Sequence, residues 1–133
     1  AYFTTCDTFK GLVKATPELD TWETGQMVYT DRAAVEALLP GVRVLEGVFP
    51  DETGYVLEGR KFRLAHIDVD TYLSGKDIWA WVWPRLVPGG VVVFDDVEVL
   101  DTPGITQLVS ELELTPGTFW TRNHMGQAIC VKT

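Results

Sequence analysis

Pro84-Arg85-Leu86-Val87-Pro88-Gly89-Gly90-Val91-Val92-Val93-Phe94-Asp95-Asp96 is the stretch that decides the fold. Val87-Pro88-Gly89-Gly90 punctuates the end of a helix. Val91–Phe94 is an unbroken apolar run, the pattern of a strand covered on both faces. Two acids then close it. Upstream, Ser74 to Leu86 reads as a helix despite its tryptophans, preceded by a strand over Phe62–Asp68. Downstream, Thr102 and Pro103 open a helix whose Ile105, Leu108, Val109 and Leu112 form one apolar stripe. Gln127 to Lys132 is a last strand.

Further from that centre, Ala1-Tyr2-Phe3-Thr4-Thr5-Cys6 is β-branched and aromatic and reads as a strand ending at Asp7. Residues 12–29 are loop-like. Thr30 is the expected cap of a short helix over 31–39, closed by Pro40-Gly41, and Val42–Gly47 is a second strand. Strands alternating with helices predict an α/β fold, a mostly parallel open sheet with helices on both faces. No linker, repeat or low-complexity segment divides residues 1–133, so a single domain is expected.

Composition narrows the function. Eleven basic residues against nineteen acidic ones give a net charge of −8. That is the wrong sign for a nucleic-acid partner or an anionic membrane surface. Hydrophobic residues make up 46% of the chain, enough to bury a core, yet no apolar run is long enough to span a bilayer. Cys6 and Cys130 each lie in an apolar run, which suits two reduced thiols and a cytoplasmic setting better than a disulfide. Trp79, Trp81 and Trp83 crowd one helix; two are expected in the core, and the third points to a partner, a homodimer.

The chemistry lies at the strand ends. In open α/β sheets, ligands bind beyond the carboxyl ends of the strands. Asp7 comes after the first strand, Asp68 (with Asp70) after the third, and Asp95-Asp96 after the fourth. The spacing from Asp68 to Asp95 suits one crossover helix, which brings Asp68, Asp95 and Asp96 to one rim. Carboxylates that close repel unless a cation neutralises them or one keeps a proton. A hard divalent ion such as Mg²⁺ answers that need; the alternative is that each acid caps a turn or a helix start.

Two families carry acids in this style. His66-Ile67-Asp68-Val69-Asp70-Thr71-Tyr72 resembles the D-x-D-x-[TV] motif of haloacid-dehalogenase phosphatases, but Tyr72 stands where Thr or Val belongs. The fuller match is to the macrocin O-methyltransferases, Mg²⁺-dependent enzymes that use S-adenosylmethionine (SAM) to methylate sugar hydroxyls. Asp7-Thr8-Phe9-Lys10-Gly11-Leu12 resembles that family's D-[ST]-F-E-G-L, and Glu46-Gly47-Val48-Phe49-Pro50-Asp51 its K-G-x-F-x-D. His66 to Tyr72, with Lys76-Asp77, resembles its H-L-D-V-D-L-Y-E-S-x-K-D. Pro84 to Asp96 is similar to its P-R-L-x-P-G-G-x-x-x-x-D-D, and Pro103-Gly104-Ile105 with Glu111 to its C-P-G-x-x-x-A-V-x-E-F.

The resemblance implies a Rossmann-like SAM-methyltransferase fold and a set of roles. Asp68, Asp95 and Asp96 would hold Mg²⁺ against a small-molecule hydroxyl acceptor, with Asp68 also as general base. Asp7 would bind the ribose hydroxyls of SAM, while Phe49 and Asp51 would border the adenine. Thr71 stands where catechol-type relatives carry a lysine base. His124, in the loop Arg122–Gly126, is the second catalytic candidate, as base or substrate contact; a solvated loop histidine is its other reading. His66 is expected packed in the core. Glu98 and Asp101 suit either substrate recognition or a turn.

The resemblance makes Ala1–Cys6 the family's second strand and implies a first strand and a glycine-rich turn ahead of it, so these are expected to be missing from residues 1–133. In that family the strand lies between the second and fourth. Without it the sheet is expected to fall into two halves with open edges. Either the SAM site is completed from elsewhere, or the chain is a non-catalytic relative acting as a binding module or dimer.

Overall fold

A computed structural model describes residues 3–133, so Ala1 and Tyr2 of the first expected strand lie outside the described residues. The sheet is split, as expected. Strand β1 (Thr4–Asp7) pairs in parallel with β2 (Arg43–Glu46), in the register Thr4↔Arg43 to Asp7↔Glu46. Helix α1 (Arg32–Leu38) connects them. Its cap is Asp31 rather than Thr30: Asp31 Oδ1 accepts the Ala34 N–H at 2.9 Å, the geometry of a side chain one residue before the helix.

The second sheet has four strands: β3 (Phe62–Ile67), β4 (Leu86–Phe94), β5 (Thr118–Arg122) and β6 (Ala128–Lys132), in the order β3-β4-β6-β5. β3 and β4 are parallel; β6 runs antiparallel to both β4 and β5. Helix α2 (Tyr72–Val82) makes the crossover from β3 to β4, and α3 (Pro103–Leu112) leads from β4 towards β5. Among the described residues, the outer edges of β1 and β3 have no strand partner.

One strand, β5, goes beyond the sequence expectation. Thr118-Phe119-Trp120-Thr121 has strand composition, and Asn123 to Gly126 supply the hairpin turn to β6. β4 also starts earlier than expected. Leu86 already pairs with Phe62, and the Pro88–Gly90 interruption falls at a register shift inside the strand.

Alternation within β4 and β6 fixes the core. Val92, Phe94, Ala128 and Cys130 are fully buried, while Val91 and Val93 on the opposite face are half-buried. Ile105, Leu108 and Val109 of the α3 stripe complete the core with Trp79 and Val82 of α2. Gly75 permits the two helices to close: a Cβ there would lie 2.8 Å from Leu108 Cδ2. Both cysteines are free thiols, pushed up to about 11 by burial. No described helix is long and apolar enough to cross a membrane.

Trp79 and Trp81 of α2, and Trp83 just after it, all have partners inside the chain, which removes the reason for assigning one of them to a partner molecule. Trp79 stacks on Trp83 at 4.6 Å and lies 5.8 Å from Trp120. Trp81 meets Phe49 edge-on at 4.9 Å, tilts against Phe62 at 5.8 Å and takes the Arg85 guanidinium over its face. The helix reads as apolar all round because its faces meet different elements. Trp81 also joins the two sheets, since Phe49 lies just after β2 and Phe62 opens β3.

Candidate functional site

β3 and β4 are parallel neighbours, so the residues after each strand reach the same rim. The Asp95 N–H donates to Ile67 O at 3.0 Å, carrying the ladder to the point where the acids begin. One carboxylate oxygen from each of Asp68, Asp70 and Asp96 lies within 4.8 Å of the other two. Oxygen ligands 2.0–2.6 Å from a hard cation are spaced over about that range, so the donor set fits a shared divalent ion.

Asp70 and Asp96 both adopt left-handed backbone, with φ of 58° and 56°. Such geometry is uncommon outside glycine and concentrates at functional sites, where surrounding contacts enforce it. Those contacts are present here. Thr71 N–H donates to Val69 O at 2.7 Å, and the Thr102 hydroxyl donates to Asp96 O at 2.6 Å.

Of the three acids expected to hold the ion, the structure gathers Asp68 and Asp96, and Asp70 completes the group. Asp95 is turned aside. Its Oδ1 accepts the Asp96 N–H at 3.0 Å, and its Oδ2 lies 3.4 Å from both His66 Nε2 and Gln127 Nε2. His66 is therefore no core histidine: its side chain is 49% exposed on the open edge of the four-stranded sheet, beside Asp95. Gln127, at the start of β6, escapes a sequence reading because nothing local marks its reach to Asp95.

Burial dominates the electrostatics. It raises the Asp70 carboxyl from an ordinary 3.8 to about 7, helped by the carboxyl of Asp96 and the charge of Asp68. Asp68 is raised too, first by burial and then by Asp95, Asp96, His66 in the opposite sense, and Asp7. Without a cation, the cluster keeps a proton. Between pH 4 and 7 the native state therefore holds a proton that the unfolded chain has released. Metal-free stability should fall as pH rises across that window and level off above it. Chemical denaturation of chelator-treated protein at stepped pH checks this; a rise in stability from pH 5 to 7 would contradict it.

The expected cofactor residues lie around the same rim. Asp7 is exposed at the end of β1, with Oδ1 accepting the Phe9 N–H at 2.7 Å. Its charge adds the smallest of the pushes on the Asp68 carboxyl, which places Asp7 within electrostatic reach of the cluster. Phe49 packs on Trp81, at the seam between the two sheets. Asp51 is ion-paired with Lys14 at 2.7 Å, and the same ammonium reaches Asp77 of α2 at 2.6 Å. Lys14 sits in a segment that is loop-like by composition, and no sequence spacing betrays its two distant partners. His124 is exposed in the β5–β6 turn, which Asn123 folds by accepting the N–H groups of Met125 and Gln127. Glu98 pairs with Arg122 of β5, and Asp101 is exposed.

A protein-family model described as a methyltransferase domain matches residues 1–97. Among solved structures, the O-methyltransferase NovP matches with a TM-score of 0.76 at 17% identity, over 99% of this chain and 60% of that one. CalS11, a calicheamicin methyltransferase, matches with a TM-score of 0.78 at 18% identity, over 98% and 60%. The apo structure of CalS11, described as a TDP-rhamnose 3'-O-methyltransferase, matches at 0.67 and 19% identity, over 98% and 58%. The chain thus spans about 60% of the length of these structures. At such identities they establish the fold. No curated protein matches the sequence.

Proposed function

The chain belongs to the methyltransferase-domain family, and on that premise we propose that it is the cation-binding core of a SAM-dependent O-methyltransferase acting on a hydroxyl of a sugar or other natural product. The observation that carries this reading is the convergence of Asp68, Asp70 and Asp96 at the ends of two parallel strands. The macrocin-type motifs support the choice of acceptor, as do the descriptions of NovP and CalS11.

In this proposal Asp68 and Asp96 hold Mg²⁺, Asp70 is the third acid of the group, and Asp95 buttresses them from the His66 and Gln127 side. Bound there, the ion supplies Lewis acidity, which lowers the pKa of a neighbouring hydroxyl. The acids orient the acceptor by fixing where its oxygens can lie. Asp68, the exposed member of the cluster, takes the acceptor's proton. Asp7 accepts hydrogen bonds from ribose hydroxyls of SAM through the oxygen not engaged by Phe9. Phe49 and Asp51 border the adenine, with Lys14 holding Asp51 in place. His124 is assigned to acceptor contact at the rim. Methyl transfer is an in-line displacement, so alignment of the two reactants is most of what the protein contributes.

Titration calorimetry with SAM, with and without Mg²⁺, tests the reading. Heat of binding supports it. None at millimolar SAM, with Mg²⁺ present, favours the non-catalytic binding-module reading, which draws its support from the split sheet. The open β1 and β3 edges are also where we place a homodimer, in a cytoplasmic setting that would keep the two thiols reduced. A monomeric mass by light scattering at high micromolar concentration would overturn the dimer.

A further inference from the structure

We propose that Asp20 is a positioning residue for the cation site: one buried carboxylate, from a distant loop, fixes the two turns that carry Asp70 and Asp96. This rests on the proposed cation-binding function and extends it to a residue outside the cluster.

Asp20 is 8% exposed and lies within a segment closed on itself by paired backbone bonds, Leu12 N–H to Gln26 O and Gly25 N–H to Leu12 O, both 2.8 Å. Its Oδ2 accepts the Thr16 N–H at 2.9 Å and the Thr16 hydroxyl at 3.1 Å. Its Oδ1 accepts the Tyr72 N–H at 2.9 Å. Tyr72 is the first residue of α2, and its N–H is one of the donors a helix start leaves without an internal partner. The residue placed to cap it, Thr71, makes no side-chain cap bond, because its hydroxyl donates to Val13 O at 2.9 Å. The same loop therefore supplies the cap that α2 lacks and occupies the hydroxyl that would otherwise serve.

The second helix start lies against the same carboxylate. A Cβ on Gly104, the second residue of α3, would collide with Asp20 Oδ1. α3 is likewise without a side-chain cap bond at Thr102, whose hydroxyl instead holds the Asp96 carbonyl. Asp70 stands two residues before Tyr72, and Asp96 is tied to α3 through Thr102. A carboxylate at the positive end of both helices thus braces the left-handed turns on either side of the cluster. Residues that orient ligands from outside typically contribute about 10- to 100-fold to metal affinity.

Mn²⁺ titrated into the whole chain, monitored by the loss of its free electron-spin signal, reads this directly. Asp20→Ala should weaken Mn²⁺ binding about 10-fold or more, and Asp20→Asn, which keeps an acceptor oxygen but no charge, less than that. Gly104→Ala, which displaces the carboxylate without altering it, should also weaken binding and keeps the test open if Asp20→Ala does not fold. Val44→Ala, in the core of the two-stranded sheet, is the stability control. The proposal is overturned if Asp20 variants lose thermal stability yet bind Mn²⁺ within about twofold of the parent, or if Val44→Ala weakens binding as much at an equal stability loss. Failure of the unaltered chain to bind Mn²⁺ would instead overturn the cation-site reading itself, and this proposal with it.

Discussion

On the proposed function, Asp68→Asn and Asp96→Asn should each lower methyl transfer by about 10³-fold, since a cation held there would contribute several kcal/mol of charge stabilisation and each 1.4 kcal/mol is tenfold. Asparagine matches aspartate in size but removes the charge that draws the ion. It also removes one of the neighbouring acids that, after burial, help to raise the Asp70 carboxyl to about 7. Either change should therefore leave the metal-free fold as stable as the parent, or more so, while cation affinity falls. That opposition separates a metal site from an ordinary cluster of turn-capping acids, in which removing an acid loosens the turn. Asp95→Asn provides the contrast. Its carboxylate faces His66 and Gln127, so its effect on cation affinity should be smaller than that of Asp68 or Asp96. Equal losses at all three positions would restore Asp95 to the ligand set; no loss at Asp68 or Asp96 would remove the metal from the reaction.

Much of the frame is legible in the chain because it is set by local pattern. The apolar run ending at Phe94 and the α3 stripe are short-range signals, and each forms the expected element, whereas the glycine turn falls inside β4 instead of ahead of it. Among the described residues the two sheets stay separate, as the resemblance of the motifs leads one to expect. The features that escape are non-local. The preference for Asp70 over Asp95 arises from backbone φ of 58° and 56° at Asp70 and Asp96, which aims adjacent acids in different directions. Sequence adjacency says nothing of that. His66 reads as a core residue because it sits in a strand, but the strand is an edge, and its exposure depends on what lies beside it. Residues 12–29 read as loop by composition, yet Lys14 and Asp20 make contacts 63 and 52 residues away. Loop composition describes backbone regularity, and polar side chains can pin an irregular backbone as firmly as a ladder does.

The largest stability effect should come from Phe94→Ala, with a loss of about 3–5 kcal/mol. Phe94 is fully buried in β4, between its sheet partners β3 and β6, and its ring lies 5.9 Å from Trp79 and 6.3 Å from Trp120. Truncation would leave a cavity walled by two rigid indoles, and rigid walls collapse poorly, which puts the loss towards the upper end of that range. A domain of this size is stable by roughly 5–15 kcal/mol, so the variant should unfold at a midpoint at least about 10 °C lower. Phe119→Ala on β5 is the internal comparison. That ring is 59% exposed, and its removal should shift the midpoint little. The loss at Phe94 should also reach the chemistry, because the next two residues are Asp95 and Asp96 and the Asp95 N–H closes the ladder on Ile67 O. At temperatures where the variant is still folded, its Mn²⁺ affinity should fall below that of Phe119→Ala. Calorimetric unfolding and Mn²⁺ titration of the two variants decide the point. A Phe94→Ala loss under about 1 kcal/mol would mean that the aromatic cluster does not carry the core, and unchanged affinity would mean that the acid turn is held from the loop side alone.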